Sequence, residues 1–325
     1  MVNRLHTRVS RNVGTWSGLA FGAVALAGLA SGLAAPPEAA PARPAVHAAP
    51  NECPPTDGGT ASGARLGTPG VHDPSTITPE EAAELDRMLD AATVTQSAPD
   101  ARNPQTVPVV MHVISAKDGT GKISDAVVKR QIDVMNKGFS GGYKGVDTGF
   151  RFTLKDVTHS VDDTWFRDFS GNEDAAKREL RKGGAETLNL YSTDMGQGIL
   201  GRSTFPQDYK DAPETDGVVI DYRSVPGGGR AKFDLGFTAV HETGHWLGLF
   251  HTFQNGCASP GDYVDDTPAE REQAAGCPEG RDTCPDDPGA DPVHNFMNYS
   301  DDKCLNQFTA GQAERMGRTW SAFRG

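Results

Sequence analysis

The feature that most constrains this chain is the run His241-Glu242-Thr243-Gly244-His245-Trp246-Leu247-Gly248-Leu249-Phe250-His251. Residues four apart on an α-helix lie one above the other on the same face. His241 and His245 can therefore aim two imidazoles at one point. Phe237, Val240, Leu247 and Leu249 surround them with apolar side chains, which predicts a buried helix. Gly248 permits a backbone turn that a residue bearing Cβ resists, and that bend can swing His251 in as a third ligand. Three neutral imidazoles with an open fourth position make a catalytic zinc arrangement rather than a closed structural one. Glu242, beside the first ligand and outside the metal's shell, is the expected general base. It would take a proton from the water that attacks a peptide carbonyl and deliver it to the leaving amine.

Composition limits the setting of that site. The chain has 325 residues, of which 37% are hydrophobic and 23% charged. This excludes a polytopic membrane protein and a wholly disordered chain. A formal net charge of −12 has the wrong sign for tracking a phosphate backbone, so no nucleic-acid partner is expected. Arg4, Arg8 and Arg11 precede an uncharged apolar stretch at residues 16–35, and an Ala/Pro-rich run ends at Val46-His47-Ala48. This order predicts a signal peptide over residues 1–48, an extracellular, secreted product and no stable membrane association after cleavage. A retained anchor is the competing reading, but Gly and Ala make the stretch only weakly hydrophobic. Residues 49–105 are rich in Pro, Gly, Ser, Thr and Ala and read as a propeptide-like flexible leader. One helix is expected there, over residues 79–92, with Thr78 as N-cap and Pro79 at the first helical position. Residues 106–325 carry the texture of the catalytic domain.

Within that domain strands are expected at residues 107–114, 150–157, 188–191, 200–205 and 218–222. Helices are expected at 124–140, along a stripe of Val128, Ile132, Met135 and Phe139, and from a cap at Asn172 to about Arg181. Strands and helices in this order predict an α+β fold with a mixed sheet. Five cysteines occur, Cys53, Cys257, Cys277, Cys284 and Cys304. An oxidising compartment favours disulfides. The C-terminal four allow three pairings that spacing does not distinguish, and Cys53 stands alone upstream.

The extended histidine motif, followed by Asn295-Phe296-Met297-Asn298-Tyr299-Ser300, resembles that of the metzincin zinc endopeptidases, which carry a Met-turn after it. Residues 241–254, Asp262-Tyr263-Val264-Asp265-Asp266-Thr267-Pro268, Cys304 and Phe308-Thr309-x-x-Gln312 narrow the resemblance to the pappalysin family, in its ulilysin-like (cytophagalysin) bacterial branch. The resemblance covers about residues 107–324. It implies a metzincin-like catalytic domain with a twisted mixed sheet, a backing helix and an active-site helix, with Met297 as floor beneath the histidines and Tyr299 as a hydrogen-bond donor to the reaction intermediate. It also implies the pairs Cys257–Cys284 and Cys277–Cys304. The acidic turn at residues 262–270 suits a hard cation, and the resemblance points to calcium at Asp262 and Thr267, with Asp266 a further ligand. Relatives whose leader cysteine blocks the metal suggest the same latency switch for Cys53. Residues 201–205 would form the sheet edge that pairs with an extended substrate. Lys303 falls where relatives place an acid that selects basic side chains; as the expected specificity-pocket residue it would repel arginine and lysine, unless neighbouring Asp301 and Asp302 compensate. The combined expectation is a secreted zinc endopeptidase made as a latent zymogen, acting on protein or peptide substrates. A catalytically inactive, zinc-stabilised binding protein of the same fold is the alternative.

Overall fold

Among the described residues, six strands form one mixed sheet: β1 (Ser62–Leu66), β2 (Gln105–Ser115), β3 (Phe150–Val161), β4 (Leu188–Thr193), β5 (Ile199–Thr204) and β6 (Val218–Asp221). Their spatial order is β1-β5-β6-β4-β2-β3. The computed structural model describes residues 62–66, 77–92, 103–196 and 198–325, all within one unit, Thr56–Gly325. The expected signal peptide and Cys53 lie outside the described residues.

The parallel core β3-β2-β4-β6 follows from sequence. Val107, Val109, Met111 and Val113 of β2 form one row, joined by Leu188 and Leu190 of β4 and by Val218 and Ile220 of β6. Against this face pack α2 (Asp125–Phe139), through Val128, Ile132, Met135 and Phe139, and α5 (Phe237–Trp246), the histidine helix. The other face carries Ile114, Tyr191 and Val219 under Phe166 of α3 (Asp163–Arg167) and Phe169 of α4 (Phe169–Leu180). A sheet covered on both faces needs near-continuous hydrophobic strands, and β4 is buried at every position. β5 runs antiparallel to β6 and takes the rim beside the active-site helix.

Departures from expectation include α4 and β1, and the first has a local cause. α4 begins at Phe169 because the Asp168 carboxylate accepts the Gly171 N–H (3.2 Å). Asn172 sits inside the helix, donating its amide to the Asp168 carbonyl (2.8 Å). The second departure is β1, which extends the sheet beyond β5.

The helix expected over residues 79–92, α1 (Pro79–Ala91), is closed by a capping box between Thr78 and Glu81. It lies on the domain, with Leu85 and Leu89 buried and Asp86 and Asp90 paired to Arg315 (2.7 Å) and Arg318 (2.8 Å) of α6 (Ala310–Phe323). Cys257 pairs with Cys284 and Cys277 with Cys304, at Cα separations of 5.6 and 5.8 Å, as the resemblance implied. Among the described residues no helix is long and apolar enough to cross a membrane.

Candidate active site

α5 is buried at every residue, an apolar setting in which imidazole and carboxylate groups survive only with partners. His241 and His245 project from one face, and the chain leaves the helix at Gly248, whose φ of 93° is left-handed. A Cβ there would also meet Thr319 of α6 at 2.6 Å. The reversal returns His251 to the two helical histidines. The Nε2 atoms of His241 and His251 lie 3.1 and 3.0 Å from that of His245.

Each helical imidazole is oriented from behind. His241 Nδ1 meets the Phe296 carbonyl at 2.6 Å, and His245 Nδ1 meets that of Leu249 at 2.7 Å. A carbonyl only accepts, so Nδ1 carries the proton in both rings and Nε2 presents a lone pair. Burial, reinforced by the other two imidazoles, holds His241 well below the usual imidazole pKa; burial brings His245 down to about 4. Neutral nitrogens with their lone pairs converging at 3 Å repel one another unless a cation lies among them, and this donor set fits zinc.

The Met-turn supports the site from below. Asn295 accepts the Met297 N–H (2.9 Å), and Met297 is wholly buried. Its Sδ would lie 2.4 Å from a Cβ placed on Gly244, so the floor and the helix approach this closely only with glycine in the motif's fourth position. The Tyr299 ring stands 4.8 Å from that of His251 and 5.8 Å from that of His241.

Glu242 is buried, and its Oε1 accepts the backbone N–H of Arg65 at 2.9 Å. Arg65 belongs to β1, which pairs antiparallel with β5 so that Arg65 faces Gly201. Its guanidinium is fully buried. Nη1 lies 2.8 Å from Asp302 Oδ1, Nη2 donates to the Ser300 carbonyl (3.0 Å), and the group sits over the Phe233 ring. Burial pushes the Asp302 carboxyl up, and the Arg65 charge opposes that shift. Lys303, the expected pocket residue, is instead exposed. It shares a 3-10 turn with Asp302, and adjacent residues on such a turn point in different directions. Arg65 was not singled out from sequence, whereas Asp302 was named there only beside Asp301, as an acid that could offset Lys303. The available signal was an acid beside Lys303 and an arginine within residues 49–105.

In the acidic turn, Asp262 is buried and its Oδ1 accepts the Val264 N–H (3.1 Å). Asp262 Oδ2 and Thr267 Oγ1 are buried without a hydrogen bond, beside a cavity of about 390 Å³. Burial pushes the Asp262 carboxyl up to about 8. Asp266 is engaged elsewhere, accepting the Gly311 N–H at the start of α6 (2.9 Å).

Residues 201–320 match the family model described as pregnancy-associated plasma protein-A, peptidase family M43. An extracellular metalloprotease 1 of Coccidioides posadasii is 44% identical over 254 residues, 76% of this chain and 88% of that protein. Among solved structures, promirolysin of Tannerella forsythia is 26% identical, with a TM-score of 0.64 over 75% of this chain and 88% of that one. Mature mirolysin in complex with a cleaved peptide is 27% identical, with a TM-score of 0.59 over 69% and 97% of the two chains. With the histidine motif, the Met-turn and a mixed sheet already in place, these similarities make the chain a member of the pappalysin family of zinc metalloendopeptidases.

Proposed function

We propose that this protein is a secreted endopeptidase made as a latent precursor, which cleaves peptide bonds on the N-terminal side of basic residues. The observation that carries the reading is the contact of Glu242 with the Arg65 N–H, beside three converging imidazoles. An extended substrate would replace β1 on β5, main chain to main chain. Its basic side chain would enter the pocket closed by Asp302, and the amide nitrogen of that residue would then lie against Glu242.

His241, His245 and His251 would hold the zinc. When bound, zinc supplies Lewis-acid polarisation of the scissile carbonyl and acidifies water. Glu242 accepts the proton of the attacking water and passes it to the amide nitrogen, which leaves as an amine. Tyr299 donates to the oxygen on which charge develops, and Met297 keeps the underside of the histidines dry. Asp262 and Thr267 would contribute oxygens to a calcium ion, for which their buried, unpaired atoms are suited.

Latency is assigned to the leader. β1 covers the substrate edge and Arg65 fills the pocket, while Cys53 remains a second candidate for blocking the metal. The signal peptide over residues 1–48 would bring the precursor out of the cell, as the extracellular names of its relatives suggest. Glu242→Gln should fold and bind about one zinc per chain, with peptide hydrolysis falling by about 10²–10⁴-fold. Near-normal hydrolysis by that variant would overturn the mechanism.

A further inference from the structure

The third imidazole follows a turn that begins where α5 ends. Beyond Trp246 the reversal at Gly248 is secured by its N–H on the His245 carbonyl (2.8 Å) and by the Leu249 N–H on that of Gly244 (3.0 Å). The Leu249 carbonyl is committed to His245 Nδ1. The Gly248 carbonyl accepts the Arg315 Nε–H at 2.9 Å. The same guanidinium lies over the Phe250 ring, 4.8 Å from its centroid, immediately before His251. Arg315 is buried, and four residues further along α6, Thr319 fills the space beside Gly248. One face of α6 therefore packs against the reversal both sterically and through a charge-assisted hydrogen bond.

We propose that Arg315 is a positioning residue for the metal centre, fixing the Gly248 turn so that His251 and the Leu249 carbonyl behind His245 arrive together. The inference rests on the reading of the three histidines as zinc ligands. A small rotation of the Gly248–Leu249 peptide would shift two things at once, the backbone carrying His251 and the acceptor that orients His245. A contact that merely held α6 to the domain would have neither effect. Arg318, on the same helix but paired to exposed Asp90, is the matched control.

The test measures zinc affinity by chelator competition, together with the visible absorption spectrum of the cobalt-substituted full chain, for Arg315→Ala, Arg315→Lys and Arg318→Ala. Arg315→Ala should lose about 10–100-fold in zinc affinity and show an altered cobalt spectrum. Arg315→Lys, which keeps a donor but not the planar stack, should fall between it and wild type, and serves alone if the alanine variant does not fold. Arg318→Ala should match wild type. A folded Arg315 variant with wild-type affinity and spectrum would overturn the proposal, as would an equal loss in Arg318→Ala. Failure of the underlying reading is distinguishable, because then the wild-type chain itself would bind no zinc.

Discussion

At the scale of single residues, adjacent positions 302 and 303 carry the specificity argument. Asp302 is wholly buried against the Arg65 guanidinium, whereas Lys303 points to solvent. A charge-assisted hydrogen bond of this kind contributes about 1.5–3 kcal/mol. Asp302→Asn should therefore reduce cleavage before arginine by roughly 10–100-fold relative to cleavage before neutral residues, while Lys303→Ala should leave a peptide-library profile unchanged. The reverse pattern would return the pocket to Lys303. The histidines were legible because a period of four on a helix and a glycine three residues on are purely local facts. Which of two neighbours faces inward on a short turn depends on where the partner stands, and Arg65 is 237 positions from Asp302 by their numbers. Asp266 shows the same limit: its carboxylate satisfies the first turn of α6, a partner that the acidic stretch itself does not reveal.

At the scale of elements, most strands and helices lie close to where hydrophobic pattern puts them, with ends shifted by a few residues. α2 and α5 were announced by their apolar stripes, and α1 by Thr78 and Pro79. β1 was not. Its sequence, SGARL, lacks the apolar alternation of a strand, and it exists by pairing with β5 about 140 residues away. Such an element can only be found from its partner. Its contribution is separable from that of the cysteine upstream. Arg65→Ala removes the buried guanidinium while leaving the thiol, so the precursor should mature sooner and show activity before processing, read by N-terminal sequencing over time. An unchanged delay in Arg65→Ala, combined with early maturation of Cys53→Ala, would move latency to the thiol.

For the molecule as a whole, acid sensitivity follows from a histidine remote from the metal site. His112 of β2 is buried, held by Thr158 (2.8 Å) and Asn189 (3.0 Å) and stacked on Tyr191. Burial lowers its pKa to about 4. The unfolded chain binds this proton near pH 6.5 and the folded one only near 4, so its contribution is complete above pH 6.5 and is lost as pH falls toward 4. The loss reaches on the order of 3 kcal/mol. Thermal midpoints should drop across that window, and less steeply in His112→Asn. Calcium should act in the opposite sense. At a hundredfold excess over its dissociation constant it should add about 2.7 kcal/mol, and Asp262→Asn should abolish the gain. Equal midpoints with and without the ion would remove it from the acidic turn.

On the proposed reading of residues 49–105 as a removable leader, the pairing of β1 with β5 has one further consequence, for the enzyme after that removal. Once the cover departs, a row of main-chain donors and acceptors stands bare along the rim, and bare rims invite neighbouring chains to join them. Colloidal behaviour and activation are thus linked: the inhibited form should tolerate crowding, and the freed form should be best kept dilute or supplied with a short arginine-bearing peptide that it cannot cut.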